Sequence, residues 1–312
     1  MGTKCIFLII SLGFITRVFA QDIPFENTNQ ALISLNPSFA GSNGGIRVQN
    51  YYRNQWPNLS GSYVTYQTCT DAYLKKIRGG LSVFALEDDQ ARGMLKTQQL
   101  GLSYAQHISE LGGKLKIIPS IQISYIQFKM DVNSLTFGGM PNTRFGFVWS
   151  NSNTIPASSK SNLDFSTGLL ANYKDFFVGA TVKHFTQPDM GLIGVSRYPA
   201  LYRVHASYNK KINTKTLLQF FWMINVQNHF TQVQLSSNAV LLNHLVLGLS
   251  YLSGDAIMTS AGYRNSNVSI QMAYSAVHNK LAGNTAGSWT ATFSFNLRNK
   301  ELRKELTNFE NW

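Results

Sequence analysis

The sequence predicts an all-β protein: a transmembrane antiparallel β-barrel of about fourteen strands, with a short N-terminal arm and a short C-terminal tail. Three observations carry this expectation. Apolar and polar residues alternate along many short segments separated by turn residues. Charged residues make up only 13% of the chain, against roughly 25% in soluble domains. Beyond Ala20 there is no run of about 18 apolar residues, which excludes a helical membrane protein.

The alternation is clearest from Leu163 to Phe185. One face carries Phe165, Thr167, Leu169, Ala171 and Tyr173, and after Lys174-Asp175 it resumes as Phe176, Val178, Ala180, Val182 and His184. The other face carries Asp164, Ser166, Gly168, Asn172, Gly179, Thr181 and Lys183. Successive strand side chains point to opposite faces, so this is a hairpin with one apolar and one wet side. A two-residue loop sets Tyr173 opposite Phe176 and Leu169 opposite Ala180. Trp289, Ala291, Phe293, Phe295 and Leu297 make a second apolar row, and Leu218, Phe220, Trp222, Ile224 and Val226 a third. No backbone group goes unpaired in lipid, so such strands must close on one another.

Taken in order, residues 1–20 read as a secretory signal. Lys4 opens it, Cys5–Ile15 is a short apolar core, and Val18-Phe19-Ala20 is a small-residue cleavage site. Residues 21–43 form the arm, punctuated by Asn36, Pro37, Gly41 and Asn43; it is a non-strand segment that can tuck into the barrel. Residues 44–297 form the barrel. Its strands are expected near Ile46–Arg53, Ser62–Tyr73, Arg78–Glu87, Leu95–Ile108, Lys114–Phe128, Asn162–Tyr173 and Asp175–Phe185, and then near Ala200–Lys211, Leu217–Val226, Phe230–Val240, His244–Ser253, Asp255–Arg264, Asn267–His278 and Ser288–Leu297. Short links alternate with longer ones such as Asn54–Gly61, Lys129–Ser161 and Thr186–Pro199. That rhythm places both barrel ends in the periplasm and the long loops outside. Residues 298–312 form a tail in which Leu302, Leu306 and Phe309 share a helical face: a frayed basic end, or a short helix for a periplasmic partner.

Composition narrows the function. The net charge of +12 becomes +10 once Lys4 and Arg17 leave with the signal. The basic residues form no single block, so nucleic acid is not the expected partner. Lys75-Lys76-Arg78, Lys114-Lys116 and Lys210-Lys211-Lys215 sit between strands, next to acidic head groups or an acidic partner at one rim. Cys69 is the one cysteine after the signal, so no internal disulfide and no cysteine metal cluster forms.

Catalytic patterns are missing. His107, His184, His205, His229, His244 and His278 fall on different segments without metal-ligand spacing, so no metal and no cofactor is expected. Asp164 and His184 are the best dyad by pairing, but strict alternation puts them on opposite faces of their hairpin. Gly79, Gly80, Gly101, Gly168, Gly179, Gly248 and Gly262 read as bends in a curved sheet. Two segments stand out, Tyr52-Arg53-Asn54-Gln55-Trp56-Pro57 and His184-Phe185-Thr186-Gln187-Pro188-Asp189. Each fits strand-end punctuation or an aromatic girdle, and each also offers groups to a ligand. Candidate partner-contact residues are Asn36, Pro37 and Phe39 of the arm, with Arg53, Trp56 and Gln187.

Six segments in order, LNPSFAG (Leu35–Gly41), YRNQWP (Tyr52–Pro57), LTFG (Leu135–Gly138), DFSTGL (Asp164–Leu169), VGATVKHFTQP (Val178–Pro188) and VHASY (Val204–Tyr208), resemble the PorP/SprF family of the Bacteroidetes. Gly287-Ser288-Trp289 is similar to that family's closing strand, and the tail beyond Leu297 departs from its pattern. The resemblance implies an outer-membrane component of the type IX secretion and gliding machinery, not an enzyme. It implies as partners a secreted adhesin with a C-terminal sorting domain and the periplasmic lipoprotein ring and motor proteins; outer-membrane lipid follows from the barrel itself. The alternatives are an outer-membrane channel or hydrophobic-solute transporter on the same strands, and an outer-membrane enzyme.

Overall fold

The computed structural model describes residues 31–110, 114–132, 141–142, 146–147, 159–192, 194–278 and 285–298. The signal segment, the tail beyond Arg298 and most of the loop after Lys129 lie outside the described residues.

A helical turn, α1 (Leu32–Leu35), and a 3-10 turn (Pro37–Phe39) precede fourteen strands. These are β1 (Gly45–Gln55), β2 (Tyr63–Leu74), β3 (Gly79–Gln90), β4 (Leu95–Gln106), β5 (Leu115–Met130), β6 (Ser159–Tyr173) and β7 (Phe176–Lys183). The second half holds β8 (Leu201–Asn213), β9 (Thr216–Gln227), β10 (Phe230–Leu241), β11 (Leu245–Leu252), β12 (Ala256–Arg264), β13 (Val268–Val277) and β14 (Ser288–Arg298). Ile108–Glu110 adds a short ladder against the start of β5.

Every strand pairs antiparallel with its chain neighbours, and β1 pairs with β14 from Gly45–Arg298 to Gln55–Ser288. That last ladder closes the cylinder, so the sheet has no free edge. All fourteen expected strands are present. The β6–β7 register sets Tyr173 against Phe176 and Leu169 against Ala180, as the alternation requires. One link is tighter than its sequence indicates: β3 runs on to Gln90, leaving Ala91–Met94 as the turn.

The two wall faces differ as a membrane barrel demands. Leu102, Ile121, Val178, Val204, Ile224, Leu249 and Met272 point outward and are exposed. Aromatic residues sit towards both rims of this band. Tyr52 packs on Tyr66 and Tyr274 on Trp289 near the long-loop rim, and Phe176 stacks on Tyr208 near the short-turn rim. Inward side chains are buried on all fourteen strands, from Arg47, Tyr51 and Arg53 on β1 to Gln234 on β10 and Thr290 on β14. A bare cylinder would leave them wet, so much of the lumen is occupied, and a cavity remains beside Arg47, Gln49, Asn209, Asn238 and Thr292. Among the described residues no helix is long and apolar enough to cross a membrane.

Candidate functional site

The described arm, residues 31–42, sits inside the barrel and is buried throughout. Its apolar side chains Leu32, Ile33, Leu35, Phe39 and Ala40 pack against an apolar patch on the inner wall. The patch is Cys69, Phe84, Ala105, Ile118, Leu170, Phe177, Phe221 and Met223, drawn from seven strands. Most of the remaining wall is polar. The same alternation that turns grease outward thus carries a deliberate exception inside, where the arm lies.

Polar contacts fix the arm along its length. Asn36 Oδ1 accepts the Ser38 N–H at 2.9 Å and caps the 3-10 turn, which also has Pro37 in its first turn. Asn36 Nδ2 donates to the carbonyls of Leu169 at 3.1 Å and Ala180 at 3.3 Å, on two wall strands. It can do so because Gly168 and Gly179 leave a notch: a Cβ at Gly168 would lie 2.2 Å from Asn36 Oδ1. Ser34 Oγ donates to Gln67 Oε1 at 2.8 Å, and the hydroxyls of Ser38 and Ser120 share a hydrogen bond of 2.8 Å. Arg203 donates to the carbonyls of Ser34 at 2.8 Å and Leu35 at 3.0 Å, satisfying orphan acceptors at the end of α1.

The exit of the arm is held by charge. Arg47 pairs with Asp71 at 2.7 Å, both buried. Arg47 also donates to the carbonyl of Phe39 at 3.2 Å, and Asp71 accepts the Gly41 N–H at 2.8 Å. The two charges are therefore paired and further hydrogen-bonded to the arm backbone, which is what burial of an ion pair requires. Beyond Ser42, Asn43 donates to Asn296 of β14 at 3.0 Å.

His107 lies just past the end of β4 at the short-turn rim, its Nε2 2.9 Å from the carbonyl of Ala40. Burial first, and then the Lys116 cation, push its pKa down to about 4, against the opposing pull of the Ala40 carbonyl. The neutral ring holds the arm. The folded value lies below the unfolded one, roughly 6.5. The stability contribution is therefore complete above the unfolded value and is lost as pH falls towards the folded one. Thermal unfolding in detergent should show a midpoint that declines as pH is lowered through this window. His107→Gln should flatten that decline.

Asp164 and His184 do meet, contrary to the expectation from strict alternation. His184 Nδ1 is 2.9 Å from Asp164 Oδ2, with both side chains buried. The reason is backbone. His184 has φ +54°, in the left-handed region, so the two-residue period breaks after Lys183 and its ring turns inward to Asp164, where it lines a lumen pocket with Lys183 and Tyr198. The His184 ring then rests against Tyr198 at 4.2 Å between centroids. Among the described residues no group of His, Cys, Asp or Glu is arranged to hold a metal.

The candidate contact residues are distributed unevenly. Asn36, Pro37 and Phe39 face the barrel's own wall and not its surroundings. Arg53 is buried on the inner face of β1. Trp56, with φ +56°, follows β1 at the long-loop rim, donates its backbone N–H to the carbonyl of Gly287 at 2.9 Å, and meets Tyr63 edge-on at 5.6 Å. Gln187 is exposed, at φ +47° beside His184. Arg47, Asp71, His107, Arg203 and the glycines at 80, 168 and 179 were not singled out as arm contacts by sequence. The signal for them was available: Arg47, Asp71 and Arg203 are charges on the wet face of closed strands, and the three glycines share that face.

Fold and lumen together define a class: an outer-membrane β-barrel whose interior is stoppered by its own N-terminal arm. The family model described as type IX secretion system membrane protein PorP/SprF matches residues 18–295. The chain belongs to that family and lies in the bacterial outer membrane. No curated protein matches it. Among solved structures it is similar to CymD, a monoaromatic hydrocarbon channel, with TM-score 0.52 and 11% identity over 86% of this chain and 93% of that one. It is also similar to a TodX deltaS2S3 mutant monoaromatic hydrocarbon channel, with TM-score 0.49 and 14% identity over 86% and 94% of the two chains. Omp33 of Acinetobacter baumannii gives TM-score 0.47 and 11% identity over 82% and 100%. At 11% identity the likeness to CymD speaks to the barrel fold alone.

Proposed function

We propose that this barrel is a non-enzymatic outer-membrane component of the type IX secretion and gliding machinery that holds secreted adhesin cargo, or a subunit of the machine, for export or surface attachment. The observation that carries the reading is the arm lodged in the lumen. Buried inward side chains on every strand, and an arm pinned by Asn36, Arg47 and Arg203, suit a rigid platform better than a passage. Its adaptable parts are the loops of the long-loop rim, and its periplasmic face is the side that would meet the lipoprotein ring and motor proteins.

A channel for hydrophobic solutes is the second reading, and the likeness to CymD keeps it in view. It needs an open lumen or a lateral gap in the wall, and the β1–β14 seam is paired over its whole length. Gene deletion separates the two readings. The expected result is adhesin trapped in the periplasm or shed to the medium, with uptake of small hydrophobic solutes unchanged. Normal surface display in the deletion strain would refute the proposal.

A further inference from the structure

The cylinder is closed, but its long-loop rim has a step. β6 pairs with β5 along its whole length, from Ser159–Lys129 to Tyr173–Leu115. On its other side the ladder with β7 runs only from Tyr173–Phe176 to Thr167–Val182. A further bond continues it, from the Phe185 N–H to the Phe165 carbonyl at 3.2 Å. Alternate residues of an antiparallel strand turn their N–H and C=O to the same neighbour. Phe165 faces the β7 side, so Leu163, Ser161 and Ser159 face it too. Among the described residues nothing pairs with their backbone on that side. Ser159, Ser161 and Leu163 are all exposed.

The segment nearest this edge is held elsewhere. In the β7–β8 connection, the Asp189 carboxylate takes the Lys160 ammonium at 2.8 Å, and the Asp189 carbonyl accepts from the Asn162 amide. Lys160 and Asn162 are inward side chains of β6, and Met190 and Tyr198 are buried with Ile126 of the inner wall. The connection therefore runs inside the wall and leaves the edge open. The edge also stands at the outer limit of the lipid band. The register carries the Tyr52–Tyr66 pair of the aromatic belt across Glu87, Gln98 and Gln127 to Ser161. That part of the row is polar, and Gln98 donates to Glu87 at 2.7 Å. Native sheets blunt such edges with proline, a bulge or charge. Ser159, Ser161 and Leu163 supply none of these, and Lys160 between them is neutralised by Asp189.

We propose that this edge of β6 takes up an extended segment of a secreted polypeptide at the cell surface, adding it to the wall as one more strand. The inference rests on the cargo-holding role. Backbone hydrogen bonds supply the grip, and side chains alternating to the two faces supply the selection. On the outer face the added strand lies beside Leu163 and beside Phe165, whose ring packs on exposed Phe185 at 6.1 Å. Apolar side chains fit there. On the inner face it lies over Lys160, Asn162 and the Asp189 loop, where polar side chains fit. A second copy of the barrel is a poorer occupant. Two barrels in one membrane point β6 the same way, so their edges meet only as a parallel pair, the weaker ladder. A free segment pairs antiparallel.

The test uses Ser161→Pro and Ser161→Thr in the producing bacterium, with the amount and heat-modifiability of the barrel in the outer membrane as folding controls. Proline removes the N–H that faces the open side and spares the β5 ladder, which uses Lys160 and Asn162. Threonine keeps that N–H. The cargo is defined beforehand as the adhesin that the deletion strain fails to display. Ser161→Pro should lower its surface-to-medium ratio about tenfold, and Ser161→Thr should leave it unchanged. A photo-crosslinking amino acid at position 161, in a chain otherwise unaltered, should capture that same adhesin whether or not the proline variant folds. Full display with a folded Ser161→Pro barrel would overturn the proposal while leaving the cargo-holding role intact, because the deletion strain still fails. Crosslinks only to lipid, within the chain or to a second copy of the barrel would overturn it too. Full display in the deletion strain would overturn both.

Discussion

Excision of Ala31–Ser42 should convert a barrel that is silent in a planar bilayer into one that conducts steadily. The excised stretch carries the apolar stopper and most of its fastenings, but none of the wall. The fourteen-strand ladder closes through β1 and β14 without it, so the cylinder is expected to survive. What changes is the interior. Phe84, Ile118, Phe177 and Phe221 lose the side chains that cover them, and Gln67, Ser120 and Arg203 lose their partners on the arm. Water then enters to satisfy the polar groups, and ions follow it. Currents as small as those of the intact protein would show that the barrier to ions lies elsewhere in the lumen.

Gly80→Val should unseat the arm without deleting any of it. The inner wall and the arm approach closely where Gly80 faces Ala40 and Gly41. A Cβ at position 80 would lie 2.0 Å from the Ala40 carbonyl oxygen and 2.2 Å from its carbon. Both are backbone atoms and cannot rotate away. On the wall side, Gly80 is paired with Tyr73 on β2 and Ala105 on β4, so the strand is held from both edges. The arm is the part that yields. Overpacking of this sort costs about 1–3 kcal/mol when the surroundings adjust. Here the adjustment lifts Phe39–Gly41 away from Arg47, Asp71 and His107, and the buried Arg47–Asp71 pair loses part of its hydrogen bonding. With Cys69 replaced by Ser and a single cysteine placed at Ser38, a membrane-impermeant thiol reagent should leave the parent unlabelled and label the Gly80→Val protein. Equal protection in both would contradict this account of the glycine.

The sequence made the wall legible because strand side chains have a period of two and the barrel rewards each period with lipid on one side. The Tyr173–Phe176 and Leu169–Ala180 pairs could be written down from alternation and one turn length. The interior was less legible, and particular residues show why. His184 was assigned outward by the same rule, but one left-handed backbone conformation turns it inward to Asp164. Nothing in the local sequence announces that conformation. Gly80, Gly168 and Gly179 were read as bends, whereas each makes room for another segment: the arm backbone at Gly80, Asn36 at Gly168, and His205 with Asn36 at Gly179. Asn36, Pro37 and Phe39 were recognised as special, yet Asn36 bonds to carbonyls 133 and 144 residues further on, and Phe39 packs among side chains from several strands at once. Such contacts are set by closure of the whole cylinder and leave no local pattern.

A disulfide between cysteines placed at Ser38 and Ser120, in a chain with Cys69 changed to Ser, tests the seat of the arm most directly. The two hydroxyls stand 2.8 Å apart, within reach of a bond whose Cβ atoms are about 3.8 Å apart. The expected result is spontaneous, reductant-reversible crosslinking in the outer membrane, seen as a mobility shift of the unfolded chain. Two free thiols that both react with an external reagent would mean that the arm does not lie in the lumen, and the stoppered barrel would have to be abandoned.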